Sequence, residues 1–598
     1  MSPRSLLARI FRKKSVEQLH QESSDRDLAG TSLVKSLNLL DLTCFGIAAV
    51  VGAGIFTTLG KAAAEGGPAV SILFVLTAGT CLFSALCYSE FASRIPVSGS
   101  AYTYSYAVFG ELIAWLIGWN LLMEYAIGNS TIAFSWSDYF SNVLSGVGIP
   151  LPGWLQTDYY SCSEAAVNAT VIGRIPEDGT PIPDVGLVAI WENAPRIGGL
   201  RIILDLPALA INLIITCLVY IGIQESKLAS NAMVFLKLTV VLGVIVIGSF
   251  YVTPANWFPF APNGATGVLK GIAAVFFTYI GFDAISTTAE ECKNPKRDLP
   301  LATMLTLGIC TVLYVILAFV LTGMVSYKEL NVDDPLAIVF TKHHLDWLSG
   351  VISLSAVIAV ASVFLVFQLG QPRIFMSMAR DGLLPKQFAR IHPRFKTPSF
   401  STIVTGIAVA IPTLFLNSQI VMDLCSIGTL FAFVLVCGGI LQLNAIDRAG
   451  ADKSGNTQPA ASAVGYRNPV DRAETGKSVN VIVRSGFRVP YLNGRYVIPA
   501  LLVLYSVFMQ SMPLNHDLTR DWSWEKFPYF VFFGVFYVLA VLTWVRRWSL
   551  IPVLGVITNL YLIAGIGHLN WLRFGIWCLV GLAIYFVYGY RNSRLATE

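Results

Sequence analysis

Val50-Val51-Gly52-Ala53-Gly54-Ile55-Phe56 interrupts an apolar stretch long enough to cross a lipid bilayer, and Phe276-Phe277-Thr278-Tyr279-Ile280-Gly281-Phe282-Asp283 interrupts a second. A helix broken at such a place leaves backbone N–H and C=O groups without partners, which hydrocarbon cannot supply. Breaks at matching places in two halves of a chain are typical of substrate sites in secondary transporters. Glycine also permits close packing of membrane helices, so either interruption alone is weaker evidence than the pair.

The composition indicates a polytopic membrane protein. Of the 598 residues, 55% are hydrophobic and 13% are charged, whereas soluble domains have about 25% charged residues. The net charge of +5 comes from basic loops and does not predict a nucleic-acid partner. The cysteines and histidines form no CxxC pair or His/Cys cluster, and no nucleophile–base arrangement is present. We therefore expect no metal, no cofactor and no enzymatic activity.

About fourteen apolar segments are predicted to span the bilayer, because a spanning helix needs about 20 mainly apolar residues. Their centres are Ala49, Ala78, Met123, Leu213, Val241, Phe277, Tyr314, Val360, Ala408, Phe433, Leu504, Val535, Asn559 and Leu579. Lys and Arg concentrate after the sixth, eighth, twelfth and last segments, on the side of the basic N-terminus. The positive-inside rule therefore predicts that both termini are cytoplasmic.

Two polar inserts suggest how the chain is divided. The predicted units are a cytoplasmic tail (1–37), a ten-helix transport core (38–446) with an external insert (about 141–200), a flexible cytoplasmic linker (447–495), a four-helix membrane region (496–590) and a second tail (591–598). The external insert is rich in proline and is predicted to have turn chemistry throughout. Each half of the core opens with a broken helix, and five helices per half force an inverted repeat. The predicted fold is an all-α polytopic membrane protein with a 5+5 inverted repeat and four further C-terminal helices.

The first break predicts a site for a carboxylate. Free N–H groups of Gly52, Ala53 and Gly54 would begin the outer half-helix, and a helix N-terminus attracts anions. Carbonyl groups that end the inner half, together with those near the second break, could accept hydrogen bonds from an ammonium group. The residues concerned are Ala49, Val50, Phe276, Phe277 and Ile280. Donors and acceptors so close together match the α-carboxylate and α-amine of an amino acid.

Three ionisable residues lie inside predicted spanning segments, where such groups are costly and functional by default. Lys237, in the fifth segment, is either an ammonium that faces the bundle and exchanges a proton, or a side chain that snorkels to an interface. Asp283 follows the second break, where it either braces the broken backbone or takes part in proton movement. Glu124, in the third segment, either lines the substrate pocket or makes a structural hydrogen bond.

Several motifs resemble a known family of transporters. Gly52-Ala53-Gly54-Ile55-Phe56 and the segment Phe276–Pro300 resemble the amino acid–polyamine–organocation superfamily. Gly370–Pro385 (GQPRIFMSMARDGLLP) and Ser426–Leu435 (SIGTLFAFVL) narrow the resemblance to the cationic amino acid transporter family. The tail from Asn559 to Tyr590 also resembles that family, whose members have fourteen helices.

The resemblance implies a LeuT-like fold with broken helices 1 and 6, and amino acid uptake across a plasma membrane, which we expect to be a bacterial inner membrane. In bacterial relatives a lysine on the fifth helix stands where sodium binds in sodium-coupled members. Lys237 matches that position, which implies proton coupling without sodium, and Asp283 matches the aspartate of the family's GFD motif.

We therefore predict a proton-coupled amino acid symporter that works by alternating access. Its predicted partners are an amino acid, protons and the lipid bilayer. An obligate exchanger and a transport-inactive amino acid sensor are alternatives. The sequence leaves open whether the substrate is cationic or neutral, the oligomeric state, and the roles of the external insert and of Cys162.

Overall fold

The computed structural model describes residues 12–14, 18, 35–52, 54–95, 99–172, 185–222, 227–264, 268, 271–332, 334–395, 397–453, 487–511 and 524–596. Regular structure in these ranges is helical apart from one antiparallel hairpin, β1 (Arg196–Ile197) with β2 (Leu200–Arg201). The helices are α1 (Leu39–Val50), α2 (Leu59–Gly66), α3 (Val70–Arg94), α4 (Ser100–Val108), α5 (Glu111–Gly146), α6 (Tyr159–Ile172), α7 (Val185–Asn193), α8 (Leu206–Ile221), α9 (Lys227–Ser249), α10 (Ile272–Phe277), α11 (Pro295–Met324), α12 (Pro335–Lys342), α13 (Asp346–Arg380), α14 (Ser399–Phe415), α15 (Ser418–Lys453), α16 (Val497–Ser511), α17 (Phe527–Arg546), α18 (Leu550–Gly565), α19 (His568–Ile584) and α20 (Tyr590–Asn592).

The prediction of a multi-pass membrane protein is confirmed. Within the described residues, seven helical runs are long and apolar enough to cross a membrane, and four shorter apolar helices accompany them. The long runs are Leu39–Arg94, Asn231–Ser249, Pro295–Met324, Asp346–Arg380, Ser418–Ala445, Phe527–Arg546 and His568–Asn592. The shorter ones are Leu206–Ile221, Ser399–Phe415, Val497–Val507 and Leu550–Gly565. Every predicted segment centre lies within a helix.

The first predicted interruption separates α1 from the helix that follows it. A capping box at Asn38 and Asp41 starts α1, because each side chain accepts a hydrogen bond from the other residue's backbone N–H at 3.1 Å. The helix ends at Val50. Helical structure resumes as a π-helical segment, Gly54–Thr58, which continues directly into α2. Single π-helical turns of this kind are frequent at functional sites.

The second interruption follows α10. The helix ends at Phe277, residues 278–281 form turns, and the chain continues as a 3-10 helix, Phe282–Glu291. Gly281 enters this segment with φ of +113°, a backbone conformation that favours glycine. Both interruptions are therefore present at the places that the glycines predicted.

The external insert does not consist of turns throughout, and that prediction was wrong. Helix α5 continues to Gly146, and the insert then forms α6, α7 and the β-hairpin. Cys162, Ala194 and Ile203 are buried together beneath Trp154 and Trp191, so the insert has a small apolar core of its own. Its described prolines, Pro150, Pro152 and Pro195, lie outside these elements and leave two short apolar stretches free to form helices.

The C-terminal helices pack against the first ten segments. The indole N–H of Trp115 on α5 donates to the carbonyl of Gly581 on α19 at 2.8 Å. Of the predicted linker, the first residues continue α15 to Lys453 and residues 454–486 lie outside the described residues. Its far end is docked on α3, because Val489 N–H donates to the buried Glu90 carboxylate at 2.9 Å.

Candidate substrate site

A cavity lies where the two interrupted helices meet. The space not filled by atoms there is about 300 Å³ including its open side, and its wall comes from five places in the chain. The first break contributes Ala49, Val50, Gly52 and Gly54, and the second contributes Phe277 and Ile280. The other lining residues are Gly128 and Ile132 on α5, Val363 and Phe367 on α13, and Cys425 on α15. The cavity thus brings together backbone from both breaks and side chains from three continuous helices.

The two breaks touch each other through their backbones because glycine carries no Cβ. A methyl group on Gly54 would lie 2.6 Å from the Cα of Thr278, and one on Gly281 would lie 3.0 Å from the carbonyl oxygen of Ala49. Both distances are shorter than a relaxed contact allows. Glycine at these positions is therefore a condition for the close approach of the interrupted segments.

The backbone groups at the first break are only partly used within the fold. Val51 N–H donates to Ile47 O at 2.9 Å, and Phe56 N–H donates to Gly52 O at 3.2 Å. The N–H groups of Gly52 and Gly54 come between Val51 and Phe56 in the chain, at the start of the outer half-helix. The first N–H groups of a helix have no partner within that helix. These amides border the cavity and can donate to an anion.

Three of the carbonyl groups that were predicted to accept an amine already accept a hydrogen bond within the fold. Val50 O accepts from the hydroxyl of Tyr314 at 3.0 Å. Phe276 O and Phe277 O accept from the N–H groups of Tyr279 and Ile280, at 2.9 and 3.3 Å. A carbonyl oxygen has a second lone pair, so each of these can still accept one more hydrogen bond.

Lys237 reaches inward from α9 and contacts the first break. Its ammonium group donates to Ala48 O at 3.1 Å, to Val51 O at 3.0 Å and to the hydroxyl of Ser362 on α13 at 2.7 Å. The side chain is 1% exposed. Lys237 therefore does not snorkel to an interface, and its three donors join the end of α1 to α13.

Asp283 and Glu124 form a buried acidic pair beside the cavity. By strict geometry neither carboxylate accepts a hydrogen bond from a described residue, although backbone N–H groups at Gly281, Asp283 and Ala284 lie near the Asp283 carboxylate. The two carboxylates interact electrostatically. The hydroxyl of Thr429 lies near Glu124 but donates to Cys425 O at 3.0 Å. The nearby phenol groups of Tyr88 and Tyr125 also lack partners within the described part of the chain. Buried polar groups without partners are rare and are typical of functional sites.

The predicted site residues fall into two groups. Ala49, Val50, Gly52, Gly54, Phe277 and Ile280 line the cavity, and Ala53 lies outside the described residues. Phe276, Glu124, Lys237 and Asp283 are buried behind the lining. The ring of Phe276 packs edge-on against Phe433, with 6.1 Å between centroids, and does not face the cavity.

Five lining residues carry no signal in the sequence that sets them apart. Gly128, Ile132, Val363, Phe367 and Cys425 belong to uninterrupted helices in which similar small and apolar residues occur at many other positions. These five residues line the cavity only because α5, α13 and α15 cross the two breaks at these positions. Among the described residues, no group of three or more His, Cys, Asp or Glu side chains could hold a metal ion.

Comparisons with known proteins agree with this picture. Residues 37–537 match the family model described as amino acid permease, and residues 549–593 match the model for the C-terminus of that family. The chain is 34% identical to the branched-chain amino acid permease BcaP of Bacillus subtilis, over 98% of this chain and 99% of that protein. It is 40% identical to the methylthioribose transporter of Bacillus subtilis, over 73% and 86%. It is 32% identical to the vacuolar cationic amino acid transporter 4 of Arabidopsis thaliana, over 98% and 96%.

Proposed function

The chain belongs to the amino acid permease family, and on that premise we propose that it takes up amino acids by proton-coupled symport with alternating access. Its relatives are transporters and not enzymes. The observation that supports an amino acid substrate best is the cavity at the two breaks, where backbone donors and acceptors face one small space. We also propose that the protein lies in the plasma membrane with both termini in the cytoplasm, as the distribution of Lys and Arg predicts.

In the proposed site, backbone N–H and C=O groups of the protein bind the α-carboxylate and the α-amine of the substrate. The α-carboxylate binds the amides at Gly52–Gly54, where a helix N-terminus provides donors and a positive partial charge. The α-amine binds carbonyl groups at Ala49, Val50, Phe277 and Ile280. These groups depend on the fold and not on side chains, so they would serve every amino acid alike.

Lys237 is the proposed coupling residue. A protonated amine can hold Ala48 O, Val51 O and Ser362 at once, whereas a neutral amine has only two N–H donors. Loss of the proton therefore weakens the junction between the first break and α13. Carbonyl and hydroxyl oxygens are also ligands that alkali cations prefer, and the ammonium group already occupies this cluster. We accordingly propose transport without sodium.

Asp283 is proposed as the second proton-coupling residue, with Glu124 at its side. Asp283 is the second residue of the 3-10 helix that follows Gly281, so a change in its charge acts on the second break. The two carboxylates interact electrostatically, and two negative charges buried near each other repel, so a change at one affects the other. Lys237 at one break and Asp283 at the other would then link proton binding to both interrupted helices.

The proposed architecture follows from the same breaks. The first and sixth segments are interrupted and meet at the cavity, as expected for two inverted halves of five helices in a LeuT-like core. We propose the same division into core, external insert, linker and four-helix region, with the start of the linker helical because α15 continues to Lys453. Rocking of the halves would expose the cavity to one side of the membrane at a time.

The function can be tested with the purified full chain in proteoliposomes. We expect labelled amino acid to accumulate when the outside is acidic, without amino acid preloaded inside, and to do so equally in sodium and in choline buffers. A protonophore should abolish accumulation. Uptake that ignores the pH gradient would contradict proton coupling, and uptake that requires preloaded amino acid would identify an exchanger. Ligand binding without flux would identify a sensor.

A further inference from the structure

We infer that the site accepts neutral amino acids with an apolar side chain and that Gly128, on α5, limits the size of that side chain. This inference rests on the proposed function, because it concerns the part of the substrate that the two breaks do not bind. It follows from the composition of the cavity wall opposite the breaks, from the position of the nearest carboxylates and from the space around Gly128.

The wall opposite the breaks is apolar. It consists of Gly128 and Ile132 on α5, Val363 and Phe367 on α13, and Cys425 on α15. None of the eleven lining residues bears a charge, and the Cys425 thiol is the most polar side chain among them. A buried ammonium or guanidinium needs a charged or strongly polar partner, whereas an aliphatic side chain gains by leaving water. The wall therefore favours aliphatic side chains and disfavours cations.

Neither buried carboxylate is part of the cavity lining, so the wall itself offers a cationic side chain no charged partner. Glu124 lies one helical turn before Gly128 and Asp423 lies two residues before Cys425, but neither side chain is part of the lining. The Asp423 carboxylate instead accepts hydrogen bonds from Gln419 and Asn570 at 3.0 and 2.8 Å. Phe367 lines the cavity and packs against Tyr125 with 5.2 Å between ring centroids. Tyr125 in turn interacts electrostatically with Glu124 and Asp283.

Gly128 sets the width of the cavity between α5 and α15. A methyl group at this position would lie 3.2 Å from the sulfur of Cys425, which is tighter than an ordinary contact. Cys425 is itself held in place, since its thiol donates to Glu124 O at 3.6 Å. A side chain at position 128 would therefore crowd Cys425 and narrow the cavity between α5 and α15.

The substrate class can be tested by competition in proteoliposomes that contain the full chain. Unlabelled leucine, isoleucine or valine should inhibit uptake of labelled alanine at concentrations at least about tenfold lower than arginine or lysine, the scale on which apolar pockets discriminate. Stronger inhibition by arginine or lysine overturns this inference and leaves the proposed function intact. Absence of uptake for every amino acid overturns the proposed function and this inference with it.

The role of Gly128 can be tested with Gly128→Ala. We expect leucine uptake to fall about tenfold relative to alanine uptake, since one methyl group in an apolar pocket changes discrimination by about that factor or more. Gly79→Ala is the matched control, because a methyl group at Gly79 on α3 would have no neighbour within 4 Å. The double variant Gly128→Ala, Cys425→Ala should recover leucine uptake. An unchanged leucine-to-alanine ratio in folded Gly128→Ala contradicts the inference.

A binding measurement checks the same wall without transport. Cys425 lines the cavity, so bound substrate should shield its thiol from a small maleimide, quantified by mass spectrometry of the Cys425 peptide. We expect leucine to slow this labelling and arginine at the same concentration to leave it unchanged. Protection by arginine but not by leucine would overturn the inference. Because the measurement reports binding, it can also be made on variants that no longer transport.

Discussion

At the residue scale, the fold depends on glycines that let backbones touch. Gly281→Ala introduces a side chain at φ of +113° and within 3.0 Å of Ala49 O. We expect it to lower the free energy of unfolding by about 1–3 kcal/mol, the usual cost of forcing such a conformation. Thermal unfolding in detergent measures the loss. Gly308→Ala, on the uncrowded surface of α11, should change stability by under about 1 kcal/mol. Equal effects of the two substitutions would contradict this explanation.

Lys237 is the residue on which proton coupling is proposed to depend. Lys237→Ala removes charge-assisted hydrogen bonds worth about 1.5–3 kcal/mol each, so uptake driven by a pH gradient should fall at least about tenfold. Lys342→Ala is the control, because Lys342 is half exposed and pairs with Glu329 on the surface at 3.1 Å. Normal pH-driven uptake by Lys237→Ala would exclude Lys237 from coupling.

Cys162, whose role the sequence left open, is a packing residue of the external insert. Burial raises the pKa of the Cys162 thiol to about 11. Because a raised pKa lowers the thiolate fraction at any given pH, labelling by maleimide should be slow near neutral pH and should accelerate as the pH rises toward that value. Mass spectrometry of the Cys162 peptide, beside a short reference peptide with an ordinary thiol, measures this. Rapid labelling at neutral pH would contradict the buried position.

At the scale of elements, the segments before α1 and after the second break are joined at one end of the molecule. Leu37 and Cys292 form a parallel bridge, and Lys293 N–H donates to Leu37 O at 3.0 Å. Arg373 on α13 pairs with Glu291 at 3.0 Å at the same end. Both interrupted helices are therefore fastened here to each other and to α13. Alternating access would require this junction to open.

Cross-linking tests whether the junction moves. Adjacent strands lie about 4.7–4.9 Å apart, within the separation that a disulfide spans, so Leu37→Cys should form a disulfide with the native Cys292 on mild oxidation. We expect oxidation to stop uptake and reduction to restore it. Leu37→Cys with Cys292→Ala is the control and should not respond. Full uptake by the oxidised, cross-linked protein would show that the junction stays closed during transport.

The elements that the sequence predicted well are those set by local physics. Apolar length alone placed the spanning segments, and glycines within them placed both breaks. The external insert was misjudged because prolines in its connections outweighed the short apolar stretches that form α6 and α7. The docking of Val489 on Glu90 could not be predicted, because it joins residues that are distant in sequence through one buried carboxylate.

At the scale of the whole molecule, backbone groups could be predicted for the site but side chains could not. Six of the predicted residues line the cavity because a break exposes its own backbone. Which face of α5, α13 or α15 borders the breaks depends on how long, uniformly apolar helices cross, and periodicity does not fix that. Lys237 and Asp283 were recognisable because an ionisable group in a membrane segment is conspicuous, although only the structure joins Lys237 to the first break.

The central claim is that the two breaks together form the amino acid site. A structure of the full chain with leucine bound, determined by electron cryomicroscopy, tests it most directly. We predict the leucine carboxylate within hydrogen-bond distance of the Gly52 and Gly54 amides, with the side chain against Ile132 and Phe367. Leucine bound away from both breaks, or with its carboxylate on Lys237, would contradict the account.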